Sequence, residues 1–129
     1  MKINIPVSVG ELIDKLTILE LKRQWTNNSE RLKHILHEMS ELEKLYEQNI
    51  EKKDEIIEHR ANLYEINRYL WMIEDRIRKK ENRKEFDGEF IQLARDVYIT
   101  NDKRFEVKNK INNLLNSEIK EVKTYESYS

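Results

Sequence analysis

The chain has 129 residues, with 25 acids against 24 bases and a formal net charge of −1; that length fits one domain with a small core. The even balance gives no overall field to draw nucleic acid or an anionic membrane. Cysteine is absent, which removes disulfides, thiol catalysis and thiolate metal sites and fits a reducing, cytoplasmic setting.

Gly occurs twice and Pro once, too few turn residues for a β-sandwich. Charged residues make up 38%, a composition suited to helices laced by surface ion pairs. At the N-terminus, Ile3, Ile5 and Val7 alternate with polar or small residues, the period of a strand. Pro6 restricts that segment to an edge. The opening residues lack the apolar core of a signal peptide, and no apolar run approaches the ~20 residues of a membrane span.

Ser8-Val9-Gly10-Glu11 reads as a capping box, with Ser8 accepting from the third turn residue and Glu11 reaching back to the Ser8 amide. Helix one is then predicted from Val9 to Trp25. Leu12, Leu16 and Leu19 on one face and Ile18, Leu21 and Trp25 on another leave only a narrow polar stripe, so this helix belongs at the centre. Asn27, Asn28 and Ser29 form a turn and cap. Helix two follows to about Ile50, with Leu32, Ile35, Leu36, Met39, Leu42, Leu45 and Tyr46 as its stripe. Glu51 to Asp54 is a corner, because one rod through helices two and three would exceed what so short a chain can cover.

Helix three is predicted from Asp54 to Lys80, with Leu63, Ile66, Leu70, Ile73 and Ile77 in a coiled-coil-like a/d rhythm. The charged stretch Arg78 to Glu85 reads as a loop. Asp87 caps helix four, which runs to about Asn116 and is expected to bend or break at β-branched Val97, Ile99 and Thr100. Ile119, Val122 and Tyr125 then suggest a strand pairing with Ile3 to Val7. The predicted fold is all-α: a four-helix bundle-like domain over residues 1–125, with short extended termini paired as a two-stranded ladder and a frayed tail at 126–129.

Candidate function lies on helix four. Its stripe runs Phe90, Ala94, Val97, Asn101, Arg104, Lys108, Ile111, Leu115, apolar at both ends and polar between. Positions three and four apart share a face. A helix that buries this face must therefore bury an amide and two cations, or line a cleft with them. An arginine fork beside a lysine can receive a carboxylate or phosphate; equally, the pair can form a buried network with acids from helices one and three. Helix three carries Asn67, Trp71, Glu74 and Arg78 on one side, and helix one carries Asp14 and Lys15. Glu74 serves either as a general acid or base or as the structural partner of Arg78. The candidate ligand-binding set is Lys15, Asn67, Trp71, Glu74, Arg78, Asn101, Arg104 and Lys108, with no catalytic residue assigned.

His34 and His37, one turn apart with Glu38 and Glu41 following, are read as solvent-facing, and neither a metal site nor a cofactor is expected. Arg76 to Lys84 is basic but diluted by Glu74, Asp75, Glu81 and Glu85, so no nucleic-acid surface is expected.

Three segments carry a resemblance: Ile5-Pro6-Val7-Ser8-Val9-Gly10-Glu11-Leu12-Ile13-Asp14-Lys15-Leu16-Thr17-Ile18-Leu19, Leu70-Trp71-Met72-Ile73-Glu74-Asp75-Arg76-Ile77-Arg78, and Val97-Tyr98-Ile99-Thr100-Asn101-Asp102-Lys103-Arg104. Together they resemble a family of short uncharacterised proteins from bacteria and their viruses, a domain of unknown function with a Thr-Asn-Asp segment. The resemblance implies one helical domain and brings no activity with it. The function expected is a helical interaction or structural module, a homodimer being its simplest assembly. The alternative is a binder or enzyme for a small anionic ligand in an interhelical pocket.

Overall fold

A computed structural model describes residues 1–128. It contains four helices, α1 (Val9–Trp25), α2 (Ser29–Asn49), α3 (Asp54–Asn82) and α4 (Gly88–Leu114), and no strand among the described residues. Three of the helices, α1, α2 and α4, start where short polar side chains take up free amides, while α3 has no side-chain cap. Asn28 Oδ1 accepts from the Arg31 amide at 3.0 Å and Asp87 Oδ1 from the Phe90 amide at 3.0 Å. Ile50 and Lys53 are extended, which separates α2 from α3 by a corner.

The start of α1 is closed by three parts of the chain. Ser8 Oγ accepts from Glu11 N at 3.1 Å, and the Ser8 carbonyl accepts from Leu12 N at 3.2 Å. The Gly10 amide donates to Asn112 Oδ1 of α4 at 2.7 Å, and the Val9 amide to Ser117 Oγ beyond α4 at 3.2 Å. The three first-turn amides of α1, those of Val9, Gly10 and Glu11, are thus all answered.

α1 packs against α2, α3 and α4, and α3 packs along α4. Leu12, Ile13, Leu16, Tyr46, Ile50, Ile56, Leu63 and Ile111 form the core. Fully burying such side chains contributes about 1.5–3 kcal/mol each. That core sits at the end of the bundle where α1 and α3 begin and α2 and α4 end. Gly10 faces Asn112 while Asp14 faces Arg104, so α1 and α4 run antiparallel. At ~1.5 Å per residue α3 is roughly 43 Å long and α1 roughly 25 Å. The far ends of α3 and α4 therefore extend past α1 as a helical hairpin.

Three expectations are corrected. The termini form no ladder: the described segment 1–7 follows α2, where Lys2 Nζ meets Glu41 at 3.2 Å, while the C-terminal segment follows α4 through Lys123–Asp102. They lie on different helices and leave Ile3, Ile5, Val122 and Tyr125 exposed. α3 continues to Asn82 instead of ending near Lys80, since cations suit a helix C-terminus and Lys80 ties to Glu85, Asp87 and Glu89 across the turn. α4 is uninterrupted through Val97 to Asp102. Of the segment 126–129 expected to fray, Ser129 lies outside the described residues.

A buried ion-pair cluster as candidate functional site

No residue of the α4 stripe from Phe90 to Leu115 is exposed, so its polar middle faces the bundle. Lys108 and Ile111 are buried, and Asn101 and Arg104 are half-buried. The partner of this middle is Asp14, which is 0% exposed. It sits one helical turn before Ile18 on the side of α1 that meets α4, among residues whose apolar neighbours hold it there.

Arg104 grips Asp14 with two edges of its guanidinium. Nε donates to Oδ1 at 3.0 Å and to Oδ2 at 3.1 Å, and Nη2 donates to Oδ2 in a short contact. Asn67 Nδ2 of α3 donates to Asp14 Oδ1 and to Thr17 Oγ1, both at 2.8 Å. Thr17 Oγ1 in turn donates to the Asp14 carbonyl at 2.7 Å. Lys108 Nζ lies 2.7 Å from Glu11, 2.8 Å from Glu121 and 3.9 Å from Asp14. Burial pulls the Lys108 ammonium down, but hydrogen bonds to Glu11 and Glu121 and the field of Asp14 outweigh it, leaving its pKa above the ordinary lysine value. Arg104 is raised in the same way: burial opposes its charge, and the Asp14 contact more than restores it.

Beside the cluster, α1, α3 and α4 enclose a cleft of about 630 Å³. Ile18, Leu21, Leu70 and Trp71 form its apolar wall, and Asn67, Glu74, Asp75, Arg78, Asn101 and Arg104 its polar one. Trp71 stacks at a tilt on Trp25, with ring centroids 5.7 Å apart. Glu74 accepts from Arg78 Nε at 3.3 Å on the rim, and Asp75 meets Lys79 at 3.0 Å. A second hollow, about 450 Å³, lies between α4 and the C-terminal segment and reaches Arg104 and Lys108 from the other side. Among the described residues no three His, Asp or Glu gather where a cation could sit.

Over residues 1–128 the sequence matches the model of a family of unknown function, DUF6165. The chain belongs to the DUF6165 family. No curated protein and no solved structure matches it. For this DUF6165 chain, the three segments that carry the resemblance converge in space, at Gly10 to Thr17 of α1, Trp71 to Arg78 of α3 and Asn101 to Lys108 of α4.

Six of the candidate residues line the interhelical cleft: Asn67, Trp71, Glu74, Arg78, Asn101 and Arg104. Lys108 does not reach it and borders the second hollow. Lys15 joins neither: one residue beyond Asp14 turns its side chain about 100° around the helix, and it is exposed. The acids that meet the α4 cations come from α1 and the C-terminal segment, while α3 supplies Asn67 in place of an acid. Sequence reasoning missed Glu11 and Glu121. Glu11 was assigned to the Ser8 amide but reaches Lys108 instead; its i,i+3 spacing to Asp14 was the available signal. Nothing in the irregular segment around Glu121 marks it as a partner of a lysine 13 residues away.

Proposed function

We propose that this chain is a helical interaction or structural module, and that the polar cluster inside its bundle is a lock joining α1 to α4. The observation that supports this reading is the pairing of the interior charges. Arg104 is matched by Asp14 and Lys108 by Glu11 and Glu121, so no uncompensated cation remains to attract an anion. Breaking one member of a buried pair strands its partner, which makes such a set a strong determinant of how two helices register. The apolar row of α3 is used inside the chain, with Leu63 and Ile73 buried, whereas the row of α2 buries Met39 and Tyr46 and leaves Leu36 and Leu45 exposed. Side chains left uncovered lie on the extended termini, at Ile3, Ile5, Val122 and Tyr125, and on the helices, among them Leu36, Leu45, Ile57 and Ile91, and a second copy is the partner that symmetry favours. Light scattering tests the assembly: twice the chain mass is expected, and a monomer at all concentrations rules out the homodimer. A thermal-shift screen of anions tests the lock: wild type is expected not to respond, while Arg104→Ala melts well below it.

A second reading has one specific support, the cleft in which Asn101, Arg104 and Glu74 face an apolar wall. It assigns the cleft to a small anionic ligand. An anion that raises the melting temperature of wild type and loses that effect in Arg104→Ala would favour it over the module.

A further inference from the structure

After Asn116, whose φ of 49° turns the chain, the C-terminal segment follows α4 without regular structure. Side chains hold it. Ser117 accepts from the first amide of α1, Glu121 meets Lys108 at 2.8 Å, Lys123 pairs with Asp102, and Tyr128 lies edge-on to Tyr98. Apolar burial adds little, since Val122 is 77% and Tyr125 86% exposed. Partly exposed ion pairs hold a segment weakly.

The surface under Glu121 is built without it. Lys108 is positioned by Glu11 at 2.7 Å, and Arg104 by Asp14. These four charges already cancel, two against two, so Glu121 brings one additional negative charge. An ammonium has three hydrogens to donate. The direction Glu121 takes opens on the 450 Å³ hollow, where Phe105 offers an aromatic ring and Asn101 an amide. We propose that the α4 wall of this hollow, with Asn101, Arg104, Phe105 and Lys108, is a binding site for an organic carboxylate, and that Glu121, which lines the hollow from the C-terminal segment, holds the Lys108 ammonium as an internal stand-in until that segment lifts. The stand-in defines the ligand class. A single carboxylate replaces Glu121 charge for charge and sets its apolar body against Phe105. A doubly charged phosphate adds a further negative charge beside Glu11 and Asp14, where like charges at short range repel. The proposal rests on Lys108 being closed in the resting chain, and it goes beyond that reading by making one closing group exchangeable.

The test uses the full chain with acetate as probe, inorganic phosphate as comparator and chloride at equal ionic strength as baseline. Wild type, Glu121→Ala and Glu121→Ala/Lys108→Met are followed by melting temperature and by amide NMR shifts. Glu121→Ala is expected to bind acetate at least about tenfold tighter than wild type, because the internal competitor is gone. Its shifts should centre on residues 104–108, which locates the ion even if the double variant folds poorly. Phosphate should give no comparable response, and removing Lys108 should abolish that to acetate. A Glu121→Ala protein that responds to acetate no more than to chloride overturns the site. Equal responses to phosphate overturn the assignment to carboxylates. A wild type that responds as strongly as Glu121→Ala overturns the closed cluster as well, and so separates failure of that reading from failure of the site alone.

Discussion

Gly10→Ala should destabilise the protein, although helix propensity alone predicts the opposite. Alanine is favoured over glycine by about 1 kcal/mol inside a helix. Gly10, however, lies directly against α4. A Cβ there would lie 2.6 Å from the Lys108 carbonyl oxygen and 3.0 Å from Asn112 Oδ1. The first of these is backbone, so the helices themselves must part. Forcing a methyl into a packed contact costs about 1–3 kcal/mol. Parting the helices also stretches the 2.7 Å bond from Gly10 N to Asn112, and an unmet buried amide costs about 1–3 kcal/mol. Against the propensity gain, the net loss is roughly 1–5 kcal/mol. At about 3–5 °C per kcal/mol for a chain of this length, the melting temperature should fall by roughly 3–25 °C. Gly88→Ala is the internal control. Nothing lies within 4 Å of a Cβ there, so the same change should raise stability by about 0.4–1 kcal/mol. Urea denaturation followed by circular dichroism reads both. A Gly10→Ala protein as stable as wild type would refute the close approach of α1 and α4.

Asn112→Ala removes the acceptor of the Gly10 amide and leaves a space in a residue that is 0% exposed; a loss of about 2–3 kcal/mol is expected in urea melts. Ser8→Ala should cost about 1 kcal/mol, the usual worth of an N-cap, because Glu11 does not close the other half of the box. Lys108 carries a pH signature. Its folded pKa lies above the ordinary lysine value of 10.5, so the stability it contributes is complete below about pH 10 and lost as pH rises through the folded value. The stability gap between wild type and Lys108→Met should accordingly narrow as pH rises beyond about 10, and a constant gap would show that the ammonium gains nothing on folding. Asp102, held below its ordinary value by Lys123 and then by Tyr128, works in the opposite sense. Its contribution is present above the ordinary aspartate value of 3.8 and is lost in acid, where NMR of Tyr128 should show the segment releasing from α4.

Much of the fold was legible because its signals are local. Ser8, Asn28 and Asp87 announce helix starts through the hydroxyl, amide and carboxylate chemistry that caps require, and all three accept as expected. The apolar girth of α1 placed it centrally, and it does contact every other helix. The inward turn of Asn101, Arg104 and Lys108 followed from a periodicity of three and four with apolar residues at both ends. What escaped notice depends on contacts between distant residues. Gly10 looked like an ordinary first-turn residue, since only the nearness of Lys108 and Asn112 gives its missing side chain a meaning. Ile119, Val122 and Tyr125 imitate a strand, yet the segment is positioned by Ser117, Glu121 and Lys123, whose partners lie on α1 and α4. Lys15 failed through its phase, one residue out of step with Asp14.

The direct test of the lock is a double-mutant cycle on Asp14 and Arg104, using Asp14→Asn, Arg104→Met and the two together. Each single change strands a buried partner and should cost about 3–5 kcal/mol. With both partners gone the double variant should be more stable than the sum of the singles predicts, by about 1.5–3 kcal/mol. Additivity within about 0.5 kcal/mol would mean that the two side chains do not sense each other, and would contradict the joining of α1 to α4 through Asp14.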